Sequence, residues 1–362
     1  MTAYYITLFF VLVFVAAAEK NILSLPKPDG TLTIRQKTNT TKTFFVLAAI
    51  VLIFVAGFRY GVGTDYFAYW LGYKKYASDF FESLLSLEEP GFKFICWVSV
   101  LIGGNGSTAI FLASLLTVYL FLTTIYRNTN LLLPATLLYI FLGCWHGAFN
   151  GVRQYLASAI IFSGVHFIKE RKFWKYALVV FIAFLFHGSA MVMIFPYFIA
   201  HNKISFPNLL FLITASVIVL FSFTEVIKFT GIILNDDITD AGNYLTQTVN
   251  IFRVLVAIAP ALFFLLVYQN QSITKEQQFW INMLVINAVI MFATSNSAYL
   301  ARINIYTVSF VPLAIPELIN GMNKKDKTLT TIIILVLFFA FWLYEISISD
   351  SLNNFKFIWN KI

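Results

Sequence analysis

Long apolar runs, each closed by a short polar interruption, fill most of this 362-residue chain. The runs are Ala3 to Ala17, Phe44 to Phe58, Thr108 to Ile125, Leu131 to Phe149, Val152 to Ile168, Trp174 to Phe186, Ala190 to Ala200, Leu209 to Phe223, Val254 to Tyr268, Phe279 to Phe292, Ile303 to Leu318 and Leu329 to Tyr344. Many approach the roughly 20 residues that carry a helix across a hydrocarbon core. None shows the apolar–polar alternation of an outer-membrane barrel strand. The pattern predicts an all-α, polytopic integral membrane protein with about 12 transmembrane helices. We read residues 1–362 as a single transmembrane domain with two larger external loops, at about 59–92 and 224–253.

Composition agrees with that class. Hydrophobic residues make up 59% of the chain and charged residues 12%, against about 25% charged in ordinary globular domains. The net charge of +8 does not mark a nucleic-acid binder, because the lysines and arginines sit mainly in a few short loops, as the positive-inside bias dictates. Cys96 and Cys144 both lie in apolar segments, so no disulfide framework or thiolate metal site is built from them. The first apolar run lacks a basic residue ahead of it and is followed by Lys20, Lys27, Arg35, Lys37 and Lys42. That order fits an uncleaved first helix with its N-terminus outside better than a signal peptide.

The basic loops Lys20 to Lys42, Lys169 to Lys175 and Lys324 to Lys327 should share the cytoplasmic side. Counting spans satisfies this if Phe92 to Ile102 does not fully cross and Trp174 to Ala200 is a hairpin broken at His187-Gly188-Ser189. Broken backbone at membrane depth is tolerated where it lines a cavity. The isolated polar residues Arg59, Asp65, Asn150, Arg153, His187, Arg253 and Arg302 then gather on the opposite, external face.

Each of these has a bland and a functional reading. Arg59 ends a span and Asp65 follows six residues on, which suits either an interfacial anchor with a helix cap or a polar site. Asn150, Arg153 and Gln154 open an apolar helix with no acidic residue nearby in sequence. A charge there costs about 2.5–3.5 kcal/mol on insertion scales unless it snorkels or faces a cavity or partner. His187 lies deep in an apolar stretch ahead of Gly188, and an accessible imidazole titrates near neutrality. Arg302 follows the polar break Ser295 to Leu300, while Glu88-Glu89-Pro90-Gly91 reads as a helix-start turn. His146, His166 and His201 show no metal-ligand spacing with His187. Several arginines on one face suit a phosphorylated ligand, because the guanidinium matches phosphate bidentately.

Four motifs in order, Arg59-Tyr60-Gly61-Val62-Gly63-Thr64-Asp65-Tyr66 with Tyr69, Glu89-Pro90-Gly91-Phe92, Arg153-Gln154-Tyr155-Leu156-Ala157 and Phe186-His187-Gly188-Ser189-Ala190, resemble the EpsG-like branch of the Wzy-type polysaccharide polymerases. The resemblance covers roughly Phe44 to Tyr197, with the late Arg302 in keeping. It implies a bacterial inner-membrane glycosyltransferase whose active site faces outward. Such an enzyme joins undecaprenyl-diphosphate-linked repeat units into O-antigen, capsule or exopolysaccharide. No cofactor, nucleotide sugar or obligatory metal is implied. The implied partners are lipid-linked oligosaccharides, membrane lipids and a chain-length regulator.

On that basis the expected catalytic groups are His187 and Asp65, either of which could take the proton from an acceptor hydroxyl. Arg59, Arg153, Gln154, Arg302, Tyr66 and Asn150 are the expected binding groups for the diphosphate and glycan. Tyr66, Tyr69 and Trp70 suit sugar stacking or interfacial anchoring equally. A flippase for lipid-linked oligosaccharides also uses arginines and broken helices, although the chain shows no repeated halves. An O-antigen ligase would share the donor.

Overall fold

The computed structural model describes residues 1–26, 33–202, 210–218 and 247–359. It is helical almost throughout, with two short antiparallel strand pairs among the described residues. Five described helices are long and apolar enough to cross a membrane: Thr2–Lys20, Asn39–Gly57, Gly106–Asn128, Ile251–Tyr268 and Lys324–Ile348. A sixth span is formed if Leu300–Val308 and Val311–Asn320, bent by 43° at their break, are taken together.

The remaining apolar runs do not form twelve full crossings, and local backbone chemistry explains why. The Leu131 to Phe149 run stops as a helix at Phe141, Gly143 takes φ +81°, and a 3-10 turn, His146–Phe149, follows. Val152 to Ile168 divides at Gly164 into Val152–Ser163 and Val165–Lys169. The Ile303 to Leu318 run breaks before Pro312, which has no N–H to continue the ladder and clashes with the preceding turn. Phe279 to Phe292 lies within the helix Lys275–Ala293. Of Leu209 to Phe223, residues 210–218 are helical and the rest lies outside the described residues, as does most of the expected 224–253 loop. The expected 59–92 loop is itself mostly helical, as Tyr66–Ser78 and Phe80–Ser86.

The two adjustments made to the topology have structural counterparts. Phe92 to Ile102 belongs to the twelve-residue helix Pro90–Leu101, too short for a hydrocarbon core. Trp174 to Ala200 doubles back: after Phe173–Phe184 the chain turns at Leu185 to His187 and returns through Gly188–Met193 and Ile194–Ile199. Tyr176 donates to the Met193 carbonyl at 2.8 Å and stacks on Tyr197. The tip of the hairpin carries His187.

The bundle has two chemically different ends. At one, Lys37 reaches the Tyr126 carbonyl, Lys169 pairs with Glu276, Thr129 donates to Glu317 at 2.5 Å and Glu19 accepts from the Leu133 amide at 2.7 Å. At the other, the N-terminal ammonium donates to the Asn353 carbonyl at 3.3 Å. The strand Lys356–Phe357 there pairs with Arg59–Tyr60, and Gly63 N–H donates to the Ser351 carbonyl at 3.1 Å. The C-terminal segment of the described chain thus braces the Arg59 to Tyr66 stretch, and the N-terminal ammonium bonds that segment.

Candidate functional site

The Arg59 to Tyr66 stretch is shaped by its glycines. Gly61 and Gly63 take φ +64° and +105°, values that Cβ-bearing residues rarely adopt. A Cβ on Gly63 would lie 2.2 Å from the Phe149 carbonyl oxygen. This close approach lets the Thr64 N–H donate to Asn150 Oδ1 at 2.8 Å. Asn150 therefore docks the stretch onto the start of the helix Val152–Ser163, the helix that carries Arg153 and Gln154.

Arg59 is not presented to a ligand. It is 0% exposed, and two of its nitrogens bond inside the protein: Nε to the Val62 carbonyl at 3.4 Å, and Nη1 to Ser114 Oγ at 3.0 Å and to the Ala56 carbonyl, while Nη2 is buried without a hydrogen-bond partner among the described residues. Its guanidinium lies 4.7 Å from the centroid of Phe149 and 5.9 Å from that of Tyr66, a geometry that favours a cation over a ring face. Tyr66 is also 0% exposed. These two residues form the floor under the stretch rather than a surface that could meet a substrate. Asp65 is half-buried, accepts from Thr64 Oγ1 at 3.2 Å, and has no bond to Arg59 because the arginine points inward.

The residue that organises the other groups is Glu89, which the linear sequence presents only as part of a helix-start turn. That part of the reading holds, since Pro90 occupies the first helical position. The Glu89 side chain, however, reaches across to two distant segments. Oε1 lies 2.6 Å from His187 Nδ1 and accepts from the Gly188 N–H at 3.2 Å, while Oε2 pairs with Arg153 Nη1. Glu89 itself takes φ +50°, an unusual left-handed conformation for a non-glycine residue. Two motifs interlock to hold it there. The Gly91 N–H donates to the Leu185 carbonyl at 2.8 Å, and Gly91 packs so tightly on Phe186 that a Cβ would sit 2.8 Å from the ring.

Burial pushes the Glu89 carboxyl up, but the His187 hydrogen bond, the Arg153 charge and the Gly188 N–H together hold it below the ordinary glutamate value. An ionised carboxylate only accepts hydrogen bonds. The Nδ1 of His187 must then carry hydrogen, and in the neutral imidazole the Nε2 lone pair is the acceptor. The side chains of Glu89, His187 and Arg153 are 23%, 28% and 32% exposed, so the cluster is anchored yet open. Arg153 is further placed by Tyr69, whose ring centroid lies 5.7 Å from its guanidinium. Tyr69 is 6% exposed and packs edge-on against Phe92, so it supports the arginine instead of stacking on a sugar.

Beside this cluster, Gln154 Nε2 donates to the Arg302 carbonyl at 2.9 Å, and Ser189 and Tyr306 share a hydroxyl bond at 2.9 Å. The exposed Arg302 thus stands on the same rim. Arg253, read from the sequence as an interfacial arginine, forms a double contact with Glu345, with Nη2 to Oε2 at 2.6 Å. The structure therefore brings Arg153, Gln154, His187 and Arg302 into one neighbourhood and attaches Asn150 and Asp65 to its edge. It places Arg59 and Tyr66 beneath. Among the described residues no three of His, Cys, Asp and Glu gather as a metal site would require.

One cue to Glu89 lay in the sequence: it is a carboxylate in a chain with only 17 acidic residues, directly before a proline that starts a helix. Its partners, 64 and 98 residues away, could not be read from spacing. A family model described as the EpsG family matches residues 42–359, from the start of the second long helix almost to the end of the chain. No curated protein and no solved structure matches the chain.

Proposed function

This chain belongs to the EpsG family, and we propose that it polymerises a surface polysaccharide by joining lipid-diphosphate-linked repeat units at the outer face of the bacterial cytoplasmic membrane. Family membership goes with polysaccharide biosynthesis at a membrane and, coarsely, with glycosyltransferase-like polymerisation. The apolar helices agree. The single observation that carries the finer reading is the Glu89 carboxylate held between His187 and Arg153.

In this reading, the acceptor hydroxyl oxygen attacks the anomeric carbon of the donor glycan, and the bond from that carbon to the diphosphate oxygen breaks. His187 Nε2 takes the hydroxyl proton as the new bond forms. Glu89 fixes the ring orientation through Nδ1–H and stabilises the imidazolium that results, as an orienting carboxylate does in a catalytic triad. The leaving diphosphate gathers negative charge, and preorganised cations aimed at it lower the barrier most. Arg153 and Arg302 are the arginines on the rim that could supply that charge. Gln154 and Asn150 fix the rim's backbone, Asp65 lies at its edge, and Arg59 with Tyr66 holds the floor.

The outward orientation is supported by charge. Lys20, Lys169, Arg171, Lys172, Lys175 and Lys327 lie toward the end opposite the cluster, and basic ends stay in the cytoplasm.

The test is gel analysis of surface polysaccharide from a deletion strain complemented with wild type, His187→Ala or Arg153→Ala. Both variants should leave single-repeat product and lose the high-molecular-weight ladder at normal protein level. A normal ladder in both would sink the assignment. Loss of the single-repeat product as well would point to a ligase or flippase. A cysteine placed at Arg171 should resist an impermeant thiol reagent in whole cells, and its labelling would reverse the orientation.

A further inference from the structure

At the end of the bundle opposite His187, we propose a second ligand site: a cleft that binds the phosphate of an anionic phospholipid headgroup between Arg35, Lys37 and Arg127. The proposal is independent of the catalytic reading.

The cleft has a volume of about 260 Å³, and its lining includes these three cations, the carboxylates Glu276 and Glu317, and the amides Asn130 and Asn320. Two separate elements deliver the cations. Arg35 and Lys37 belong to the strand Thr33–Lys37, which pairs with Ile22–Pro26 in the connection between the first two long helices. Arg127 sits in the last turn of the helix Gly106–Asn128.

Among the described residues none of the three cations has a carboxylate within ion-pair distance. Of the two lining acids, Glu276 pairs with Lys169 outside the three cations, and Glu317, which accepts from Thr129 Oγ1 at 2.5 Å, is the one carboxylate left to face them. Lys37 is tied to the Tyr126 carbonyl and lies 4.7 Å from the centroid of that ring. Burial lowers its ammonium to about 8, with Glu317 opposing. The cleft thus concentrates positive charge that its own carboxylates do not balance.

Position selects the ligand. The cleft lies at the end of the helix Gly106–Asn128 and on the connection between Thr2–Lys20 and Asn39–Gly57, three helices long and apolar enough to span the hydrocarbon core. Residues just beyond such helix ends lie at headgroup level, where basic pockets between helices take anionic lipid heads. Guanidinium groups match the planar edge of a phosphate. The asparagine amides beside them suit headgroup hydroxyls, which makes phosphatidylglycerol the natural probe.

The experiment uses the full-length protein in a neutral detergent, with thermal midpoints from intrinsic tryptophan fluorescence and bound lipid from native mass spectrometry. Phosphatidylglycerol, phosphatidylcholine and inorganic phosphate are added separately. The expected result is a midpoint about 2–4 °C higher with phosphatidylglycerol than with phosphatidylcholine, plus a retained phosphatidylglycerol adduct. An equal rise with inorganic phosphate would assign the cleft to free phosphate. The double variant Arg35→Gln, Arg127→Gln should match wild type in phosphatidylcholine and lose the increment, while the corresponding lysine variant keeps part of it. Asn130→Asp removes no cation but adds a negative charge to the cleft, and it should shrink the increment even if the glutamine variant folds poorly. Equal midpoints in the two lipids for wild type, or an undiminished increment in the glutamine and Asn130→Asp variants, would overturn the proposal.

Discussion

His187 Nδ1 and Glu89 Oε1 lie 2.6 Å apart although 98 residues separate them in the chain. The contact joins the tip of a broken hairpin to the start of a short helix. Because the same carboxylate also accepts from Arg153 and from the Gly188 N–H, removing it affects three segments at once.

Glu89→Gln keeps the size of the side chain but replaces a carboxylate with an amide. The glutamine can still bond His187, yet it no longer fixes the tautomer or offsets an imidazolium. We expect polymer formation to fall by roughly 10²–10⁴-fold, the usual range for general acid–base groups, with protein abundance near wild type. Quantified ladders against immunoblots check this, and unchanged ladders would remove Glu89 from the site.

Arg59→Ala tests the opposite kind of role. Its buried side chain bonds two carbonyls and Ser114, and each group left without a partner costs about 1–3 kcal/mol. The variant should melt earlier and be depleted in membranes. Polymer made per molecule of surviving protein should drop far less than in Glu89→Gln. Full abundance with complete loss of polymer would instead make Arg59 a ligand contact.

Gly63→Ala addresses the joint between the Arg59 to Tyr66 stretch and Asn150. The left-handed backbone costs a Cβ-bearing residue about 1–2 kcal/mol, and the new Cβ meets the Phe149 carbonyl oxygen at 2.2 Å. The Thr64–Asn150 bond should open and polymer should decrease. Gly103 also takes positive φ, +72°, but has open space around the Cβ position, so Gly103→Ala should be milder in the same assay.

The stability of the cluster should depend on pH in a defined direction. Glu89 has its folded-state pKa below the ordinary glutamate value of 4.5, so the unfolded chain binds its proton first as pH falls. Its contribution is therefore present above that value and disappears as pH drops through the lower folded-state pKa. The midpoint of purified wild type should fall on acidification through this window. Glu89→Gln should show a shallower fall, and parallel curves would contradict the ionised state.

The sequence by itself determined the class and much of the layout. Apolar runs with few charges leave no soluble core as an option, and the positions of the basic loops required a short segment near Phe92 and a hairpin broken at His187, both present in the fold. It could not fix the number of full spans, because Gly143, Gly164 and Pro312 interrupt runs that are continuous in hydropathy. Nor could it sort the arginines. Hydropathy treats Arg59, Arg153 and Arg253 alike, whereas packing buries the first, pairs the second with Glu89 and the third with Glu345. Glu89 itself emerges only in three dimensions, since a carboxylate's role depends on which distant donors the fold carries to its two oxygens.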